Sequence, residues 1–222
     1  MKERQIRFNT AMVQAILAGR KTQRRQALKH QPRMSDILPN LVFPKSKAER
    51  LSLHPAGFIY PNALDEILAM CPFGAVGDRL WVRETFRPWH EIDTYCGCYD
   101  ICTCPSEPAT PACYLADGHS IEQEDRDEYG VKWRPPIHMP RWACRIILEI
   151  TGVRVERLTD ISTKDCKAEG YPADREEDGG NFDPFLWFRD VWNATGGDWN
   201  SNPWVWVVEF KVLTTNGKLP EA

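Results

Sequence analysis

The chain has 222 residues, a net charge of −3 and 42% hydrophobic residues, among them nine Trp, which is enough apolar material for a folded core. No continuous apolar stretch approaches the roughly 20 residues of a membrane span, and the opening MKERQIRFNT lacks the apolar region of a secretory signal. These properties exclude the disordered and membrane-spanning classes, and we expect a cytoplasmic protein that contacts no membrane.

The charge is unevenly distributed along the chain. Residues 1–33 contain nine Lys or Arg and one acidic residue, whereas residues 91–128 contain ten Asp or Glu and one basic residue. Such separation predicts a basic surface that faces phosphates and an acidic segment placed elsewhere. The alternative is that both runs only face solvent.

The N-terminal pattern predicts a strand followed by a helix. QIRF alternates as a short strand does, and NTAMVQAILAG follows with Asn9 or Thr10 as N-cap and Gly19 just beyond the last turn. The predicted inward stripe of this helix is Met12, Val13, Ile16 and Leu17. The basic run RKTQRRQ begins where the helix ends, and we interpret it as a turn.

Two segments in the middle of the chain read as insertions. Residues 27–61 are polar and punctuated by proline, and residues 87–135 are rich in cysteine and then acidic, so we expect neither to supply the main core. Between them, NALDEILAM predicts a short helix and GDRLWVRET a strand. Alternation in that strand places Arg83 on the Trp81 side and Glu84 on the other.

The C-terminal part predicts strands and short helices in turn. RWACRIILEITGVRVERL has the β-branched density of two strands separated at Gly152. STKDCKAEG predicts a helix with a Ser162–Asp165 capping box, and Asp183 is the expected N-cap of PFLWFRDVWN. PWVWVVEFKV is the last strand, with Trp204 and Trp206 in the core. This order predicts a small mixed-sheet barrel with short helices.

A cysteine-rich stretch, YCGCYDICTCPSEPATPAC, is the one candidate metal site. Thiolates at such short spacing can complete a tetrahedral zinc site that would stabilise an insertion without a core of its own. Reduced thiols or opportunistic disulfides are the alternative, and His90 or His119 can replace one thiolate. The candidate ligands are Cys96, Cys98, Cys102, Cys104 and Cys113.

Five blocks carry a resemblance to a known family: ILAGRKTQRR, GDRLWVRET, PPIHMPRWACRI, LTDISTKDCKAEG and NPWVWVVEF. They occur in the order seen in the ASCH family of the PUA-like superfamily, and they look most like its phage and prophage branch. The resemblance implies an α+β fold, a PUA-like small mixed β-barrel, in a single domain spanning residues 1–222. It also implies a cleft that binds RNA or nucleosides.

The same resemblance implies roles for individual residues. Gly19 and Lys21 match the Gly-x-Lys turn that lines the family's cleft. One branch resembles an amidohydrolase acting on N4-acetylcytidine, which uses a lysine, a threonine three residues later and a later glutamate. Lys21 and Glu169 match the lysine and the glutamate, but Arg24 occupies the threonine position. The altered position favours binding over catalysis.

The chemistry of these side chains supports a binding site. Lys21, Arg24 and Arg25 together would clamp a phosphate or a nucleobase. Glu169 would accept hydrogen bonds from an exocyclic amine, or act as a general base if buried. An ordinary ion pair between Lys21 and Glu169 is the alternative.

Arg83 and Trp142 are further candidate nucleic-acid contacts, because guanidinium groups and exposed aromatic rings suit unpaired bases. Trp142 follows Arg141 in the sequence, which suits a nucleic-acid surface. The alternative is that Trp142 is one of the bulky side chains that a barrel strand needs for packing.

Three functional hypotheses follow. The first is a phage or prophage protein that binds RNA or a modified nucleoside in a bacterial cytoplasm, with no organic cofactor. The second is an enzyme, either a nucleoside amidohydrolase or a ribonuclease. The third is an interaction protein whose acidic segment inhibits a host factor that handles nucleic acid.

Overall fold

The computed structural model describes residues 1–29, 31, 68–88, 112–121, 132–178, 180 and 182–218. These residues form a mixed α+β arrangement, so the predicted class is confirmed. The strands are β1 (Glu3–Arg7), β2 (Gln23–Ala27), β3 (Arg79–Arg83), β4 (Phe86–Pro88), β5 (Ala112–Tyr114), β6 (Ile147–Arg157) and β7 (Trp204–Thr214). The α-helices are α1 (Thr10–Leu17), α2 (Thr163–Ala168), α3 (Asp174–Asp178) and α4 (Asp183–Ala194).

Five of these strands form one sheet, in the order β1-β3-β6-β7-β2, and β4 pairs with β5. β1 runs parallel to β3, whereas β3 is antiparallel to β6 and β2 is antiparallel to β7. Closure of this sheet into a barrel stays a prediction. Within the described ranges, no helix is long and apolar enough to cross a membrane.

The chain divides into two compact units. Unit 1 comprises Met1–Lys21, Asp78–Glu149 and Lys211–Ala222, and unit 2 comprises Thr22–Gly77 and Ile150–Phe210. The single-domain organisation and the insertion bounds 27–61 and 87–135 stay predictions. Most of both insertions, and most of the predicted helix NALDEILAM, lie outside the described residues.

The N-terminal strand and helix of unit 1 match the prediction, with one exception. The Asn9 side chain caps α1 by accepting from the Met12 N–H at 2.9 Å, and Gly19 takes the left-handed conformation with φ 71°. Leu17, expected to face inward, is 38% exposed, and Ala15 is buried instead. Leu17 is the last helical residue, where the chain begins to turn away.

Part of the predicted cysteine-rich insertion supplies the core of unit 1, contrary to expectation. β5 pairs with β4, and this pairing buries Tyr114, whose hydroxyl donates to the Ala143 carbonyl at 2.7 Å. The buried cluster around them consists of Phe86, Ala112, Tyr114, Met139, Ala143, Cys144 and Ile147. The sequence of this segment shows no periodicity, because its strand has only three residues.

The core of unit 2 lies between β7 and the helices α2 and α4. Trp204 and Trp206 are buried, as predicted, but so are Val205 and Val207 on the other face. β7 has a hydrogen-bonded neighbour on each side, as a central strand does. The cluster consists of Leu158, Ile161, Cys166, Phe188, Trp192, Val205 and Val207.

Three predicted boundaries can be compared with the structure. The capping box of Ser162 and Asp165 is confirmed. The break at Gly152 is wrong, since β6 runs through it, and a Cβ there would lie 2.8 Å from a Glu209 carboxylate oxygen. The glycine thus makes room for a neighbouring side chain. The helix α4 begins one residue earlier than predicted, with Phe182 in the N-cap position and Asp183 inside it.

Gly197 leaves no room for a side chain, which gives a test of the unit 2 core. A Cβ at this position would lie 2.3 Å from Trp192 Nε1. We expect Gly197→Ala to displace the Trp192 ring and to lower the free energy of unfolding by about 1–3 kcal/mol, measured by urea denaturation. Gly180→Ala is the control, because nothing lies within 4 Å of its Cβ. Equal stability of the two variants would contradict this packing.

Candidate functional site

The basic run after α1 forms strand β2, and the predicted turn is therefore wrong beyond Thr22. Gln23–Ala27 pairs antiparallel with β7, with Arg25 opposite Val207. The Thr22 carbonyl accepts from the Phe210 N–H at 2.8 Å, which starts the pairing. The charged composition of this segment hid its strand character, since the basic residues were expected to belong to a turn that lines a cleft.

Arg24 and Arg25 lie on opposite faces of β2 because side chains alternate along a strand. Arg25 is buried, whereas Arg24 is half-buried with its guanidinium 5.6 Å from the Phe73 ring centroid. The two arginines therefore do not form the joint clamp expected from their adjacency in the sequence.

Three carboxylates surround the guanidinium of Arg25, whose side chain is 0% exposed. Arg25 Nη2 lies 2.5 Å from Glu156 Oε1 and 3.5 Å from Asp165 Oδ2. Arg25 Nη1 lies 3.2 Å from Glu169 Oε1. A guanidinium removed from water in this way needs such partners, because an unpaired buried charge is strongly destabilising.

A second arginine, Arg154 on β6, links the same carboxylates. Its Nε lies 2.8 Å from Glu156 Oε2 and its Nη2 lies 3.0 Å from Asp165 Oδ1, while its Nη1 pairs with Glu209. We call this group the Arg25 network. Among the described residues its members are Arg25, Arg154, Glu156, Asp165, Glu169 and Glu209.

Helix α2 sets the positions of two of the carboxylates. The Ser162 hydroxyl and the Asp165 side chain complete the cap at its N-terminus, and Glu169 is its C-cap residue. Strand β2 is joined to this helix twice: the Gln23 side chain donates to the Asp165 carbonyl at 2.6 Å, and the Thr22 N–H donates to the Ala168 carbonyl at 2.9 Å. The network is therefore fixed by backbone contacts as well as by charge.

The electrostatics of the Arg25 network favour the ionised form of Asp165. Burial raises the pKa of Asp165, but the hydrogen bond from Ser162 and the charges of Arg25 and Arg154 outweigh burial, so the pKa is lowered. Burial lowers the pKa of Arg154, but the carboxylates raise it overall. The carboxylates of the described network are hydrogen-bond acceptors, which suit N–H donors.

The structure records Arg25 as a partner of Glu169, a pairing that the sequence did not indicate. Lys21, the other predicted candidate, is 1% exposed and belongs to unit 1, where its ammonium lies 5.7 Å from the Phe8 ring centroid. The predicted roles of Lys21 and Glu169 stay predictions. The burial of Arg25 could have been predicted from the alternation of side chains along a strand, because every second residue of an edge strand faces the core.

Arg83 and Trp142, the remaining predicted contacts, belong to unit 1. The guanidinium of Arg83 lies 5.5 Å from the Trp81 ring centroid, on the predicted face of β3. Trp142 is 55% exposed. Glu84 on the opposite face is buried and accepts two hydrogen bonds from Arg145, each of 3.0 Å. A lone arginine in the apolar stretch WACRIIL was the signal for that second buried pair.

The zinc site stays a prediction. Cys113 is a buried free cysteine on β5, and burial raises the pKa of its thiol. Cys96, Cys98, Cys102 and Cys104 lie outside the described residues. The part of the chain that the structure describes holds no cluster of three potential metal ligands, which leaves the other four cysteines untested.

Comparisons with known proteins add little to this geometry. No family model matches the sequence, and no curated protein matches it. Among solved structures, the chain is similar to the ASCH domain from Lactobacillus crispatus JV V101, with 12% identity and a TM-score of 0.35 over 95% of this chain and 79% of that chain. At that TM-score the likeness carries no argument, and membership of the ASCH family stays a prediction.

Removing the charge of Arg25 tests its place at the centre of the network. Arg25→Met leaves the carboxylates around it without their buried counter-charge, so we expect a loss of about 3–5 kcal/mol in the free energy of unfolding by urea denaturation. Arg154→Met is the matched control, since its side chain is 35% exposed and its loss should be near 1 kcal/mol. Equal losses in the two variants would contradict the central role of Arg25.

The lowered pKa of Asp165 predicts an acid-dependent loss of stability. Asp165 stabilises the fold above the pKa of an unfolded Asp, about 3.9, and this contribution disappears as the pH falls through the lower folded pKa. The stability difference between wild type and Asp165→Asn should therefore shrink on acidification, as measured by thermal unfolding. Ser162→Ala keeps the carboxylate and should behave in an intermediate way. A difference that is independent of pH would contradict the assignment.

Proposed function

We propose that the protein binds RNA or a modified nucleoside, with Glu169 of unit 2 accepting hydrogen bonds from the base. The observation that carries this proposal is the buried pair of Arg25 and Glu169, in which a fixed carboxylate is held at the end of α2.

The chemistry of the network indicates which part of a nucleoside it suits. Carboxylates accept hydrogen bonds from exocyclic amines, as Asp and Glu do with the N4 amine of cytosine. The network therefore favours a base with an exocyclic amine.

The sequence supports the same class of ligand. The basic N-terminal segment suits a polyanion, and the resemblance to the phage branch of the ASCH family implies an RNA or nucleoside cleft. In this proposal Arg25 holds Glu169 in place. Lys21 and Arg24 are proposed to contact the ligand, and mutation of each tests that role.

Two alternatives remain as proposals. Hydrolysis of an acylated nucleoside would need a nucleophile, and Arg24 occupies the position of the threonine that the resemblance implies. Only Lys21 and Glu169 support this hypothesis. Inhibition of a host factor would depend on the acidic residues 91–128, of which the structure describes 112–121.

Binding of free nucleosides tests the proposal directly. By isothermal titration calorimetry we expect cytidine and N4-acetylcytidine to bind more tightly than uridine, which lacks the exocyclic amine. Glu169→Gln should weaken cytidine binding by at least about tenfold, because it replaces a charged acceptor with a neutral amide. Chromatography of the N4-acetylcytidine sample over time would reveal deacetylation and so identify the enzymatic alternative.

The matched control is Glu209→Gln, which neutralises a network carboxylate that is 45% exposed. It should leave the preference for cytidine over uridine intact. Equal binding of cytidine and uridine to wild type, or a preference that survives Glu169→Gln, would overturn the proposed role of Glu169.

A further inference from the structure

One face of the β1–β3 pair in unit 1 carries arginine and tryptophan side chains. In the parallel register Gln5 lies beside Trp81 and Arg7 beside Arg83, while the opposite face includes the buried Ile6, Leu80 and Val82, with Arg4 opposite Leu80. We call this surface the Trp81 face. Its members are Glu3, Gln5, Arg7, Arg79, Trp81, Arg83 and Arg141.

Trp81 holds two guanidinium groups in place on this face. Its ring packs against the unit 1 core and lies 5.5 Å from the Arg83 guanidinium and 6.0 Å from that of Arg141. Arg83 is further fixed by a hydrogen bond of 2.6 Å to Gln5, and Arg141 by an ion pair with Glu3. These contacts orient both positive charges before any ligand arrives, which reduces the entropic cost of binding.

The charges on the Trp81 face are predominantly positive. Arg7 is close enough to Arg83 to lower its pKa, although burial contributes more to that shift. The described acidic neighbours are Glu3, paired with Arg141, and Glu149, which lies opposite Arg79 and pairs with Lys211 at 2.9 Å. Both of these carboxylates therefore have basic partners.

An exposed aromatic ring lies in a segment that is fastened to this face. Arg83 donates a hydrogen bond to the Ile137 carbonyl, and Arg141 begins the short helical turn Arg141–Ala143. This segment leaves Trp142 and Ile137 more than half exposed, at 55% and 56%. A large apolar side chain next to fixed arginines is typical of a surface that binds unpaired bases.

We propose that the Trp81 face binds single-stranded nucleic acid, with Arg7, Arg83 and Arg141 facing the phosphates and Trp142 stacking on a base. This inference rests on the proposed function, because it assumes the same class of ligand. The residues that it uses are different and belong to unit 1, whereas Glu169 belongs to unit 2. A double helix is disfavoured because its bases are already stacked and present no free ring to Trp142.

Oligouridine isolates this surface from the Glu169 site, because uracil has no exocyclic amine. Fluorescence anisotropy with a labelled strand of about ten uridines should show salt-dependent binding. Trp142→Ala should weaken binding at least about fivefold, and Trp142→Phe should retain most of it, because a phenyl ring still stacks. Arg141→Gln should reduce the slope of log affinity against log salt by about 0.7 for the lost phosphate contact.

The controls lie in unit 2. Phe182→Ala removes an aromatic side chain that is 78% exposed, and Arg189→Gln removes a basic side chain that is 44% exposed. Neither should change affinity, and Glu169→Gln should not change it either. Oligothymidine should bind comparably, since neither stacking nor phosphate contact needs the 2′-hydroxyl, whereas an oligouridine–oligoadenosine duplex should bind more weakly.

Three outcomes would overturn the inference: no binding of either single strand, equal losses in Trp142→Ala and Phe182→Ala, or a duplex that binds as tightly as the strand. Loss of nucleoside binding in Glu169→Gln together with unchanged oligouridine binding in Trp142→Ala would refute the Trp81 face and leave the proposed function intact. The reverse pattern would refute the proposed role of Glu169 alone.

Discussion

The buried guanidinium of Arg25 determines where the carboxylates of unit 2 are placed around it. A charge removed from water must be compensated, and here the compensation comes from β6 and from both ends of helix α2. The same requirement fixes Glu169 at the end of the helix, where its carboxylate is held beside Arg25. Arg25, which its sequence context suggests for phosphate binding, instead holds the carboxylate of Glu169 in place.

Among the described residues, arginine has a different task in each of two settings. Arg25 and Arg145 are buried and organise carboxylates, Glu169 for one and Glu84 for the other. Arg83, in contrast, lies beside the ring of Trp81 with its charge near a surface. Burial among carboxylates decides whether the charge of a guanidinium is compensated inside the fold or remains available to an anion.

Local signals in the sequence predicted local structure well. The N-cap Asn9, the capping box of Ser162 and the alternation that places Arg83 on the Trp81 side are confirmed, because each depends on residues within one turn or one strand. The Arg25 network was missed because Arg25 is separated from its carboxylate partners by more than 100 residues in sequence. Gly152 was misread for a similar reason, since its small size accommodates Glu209 from another strand.

The alternation of β2 also constrains how this segment can change in evolution. Arg24 and Gln26 face away from the network, so substitutions there would alter the surface and leave the ion pairs in place. A deletion or insertion of one residue before Arg25 has a larger effect than a substitution, because it moves every following side chain to the other face of the strand. Such a change would turn Arg25 outward and bring a neighbour among the carboxylates. A change in the length of the stretch between α1 and β2 is therefore more disruptive to the fold than a substitution at its exposed residues.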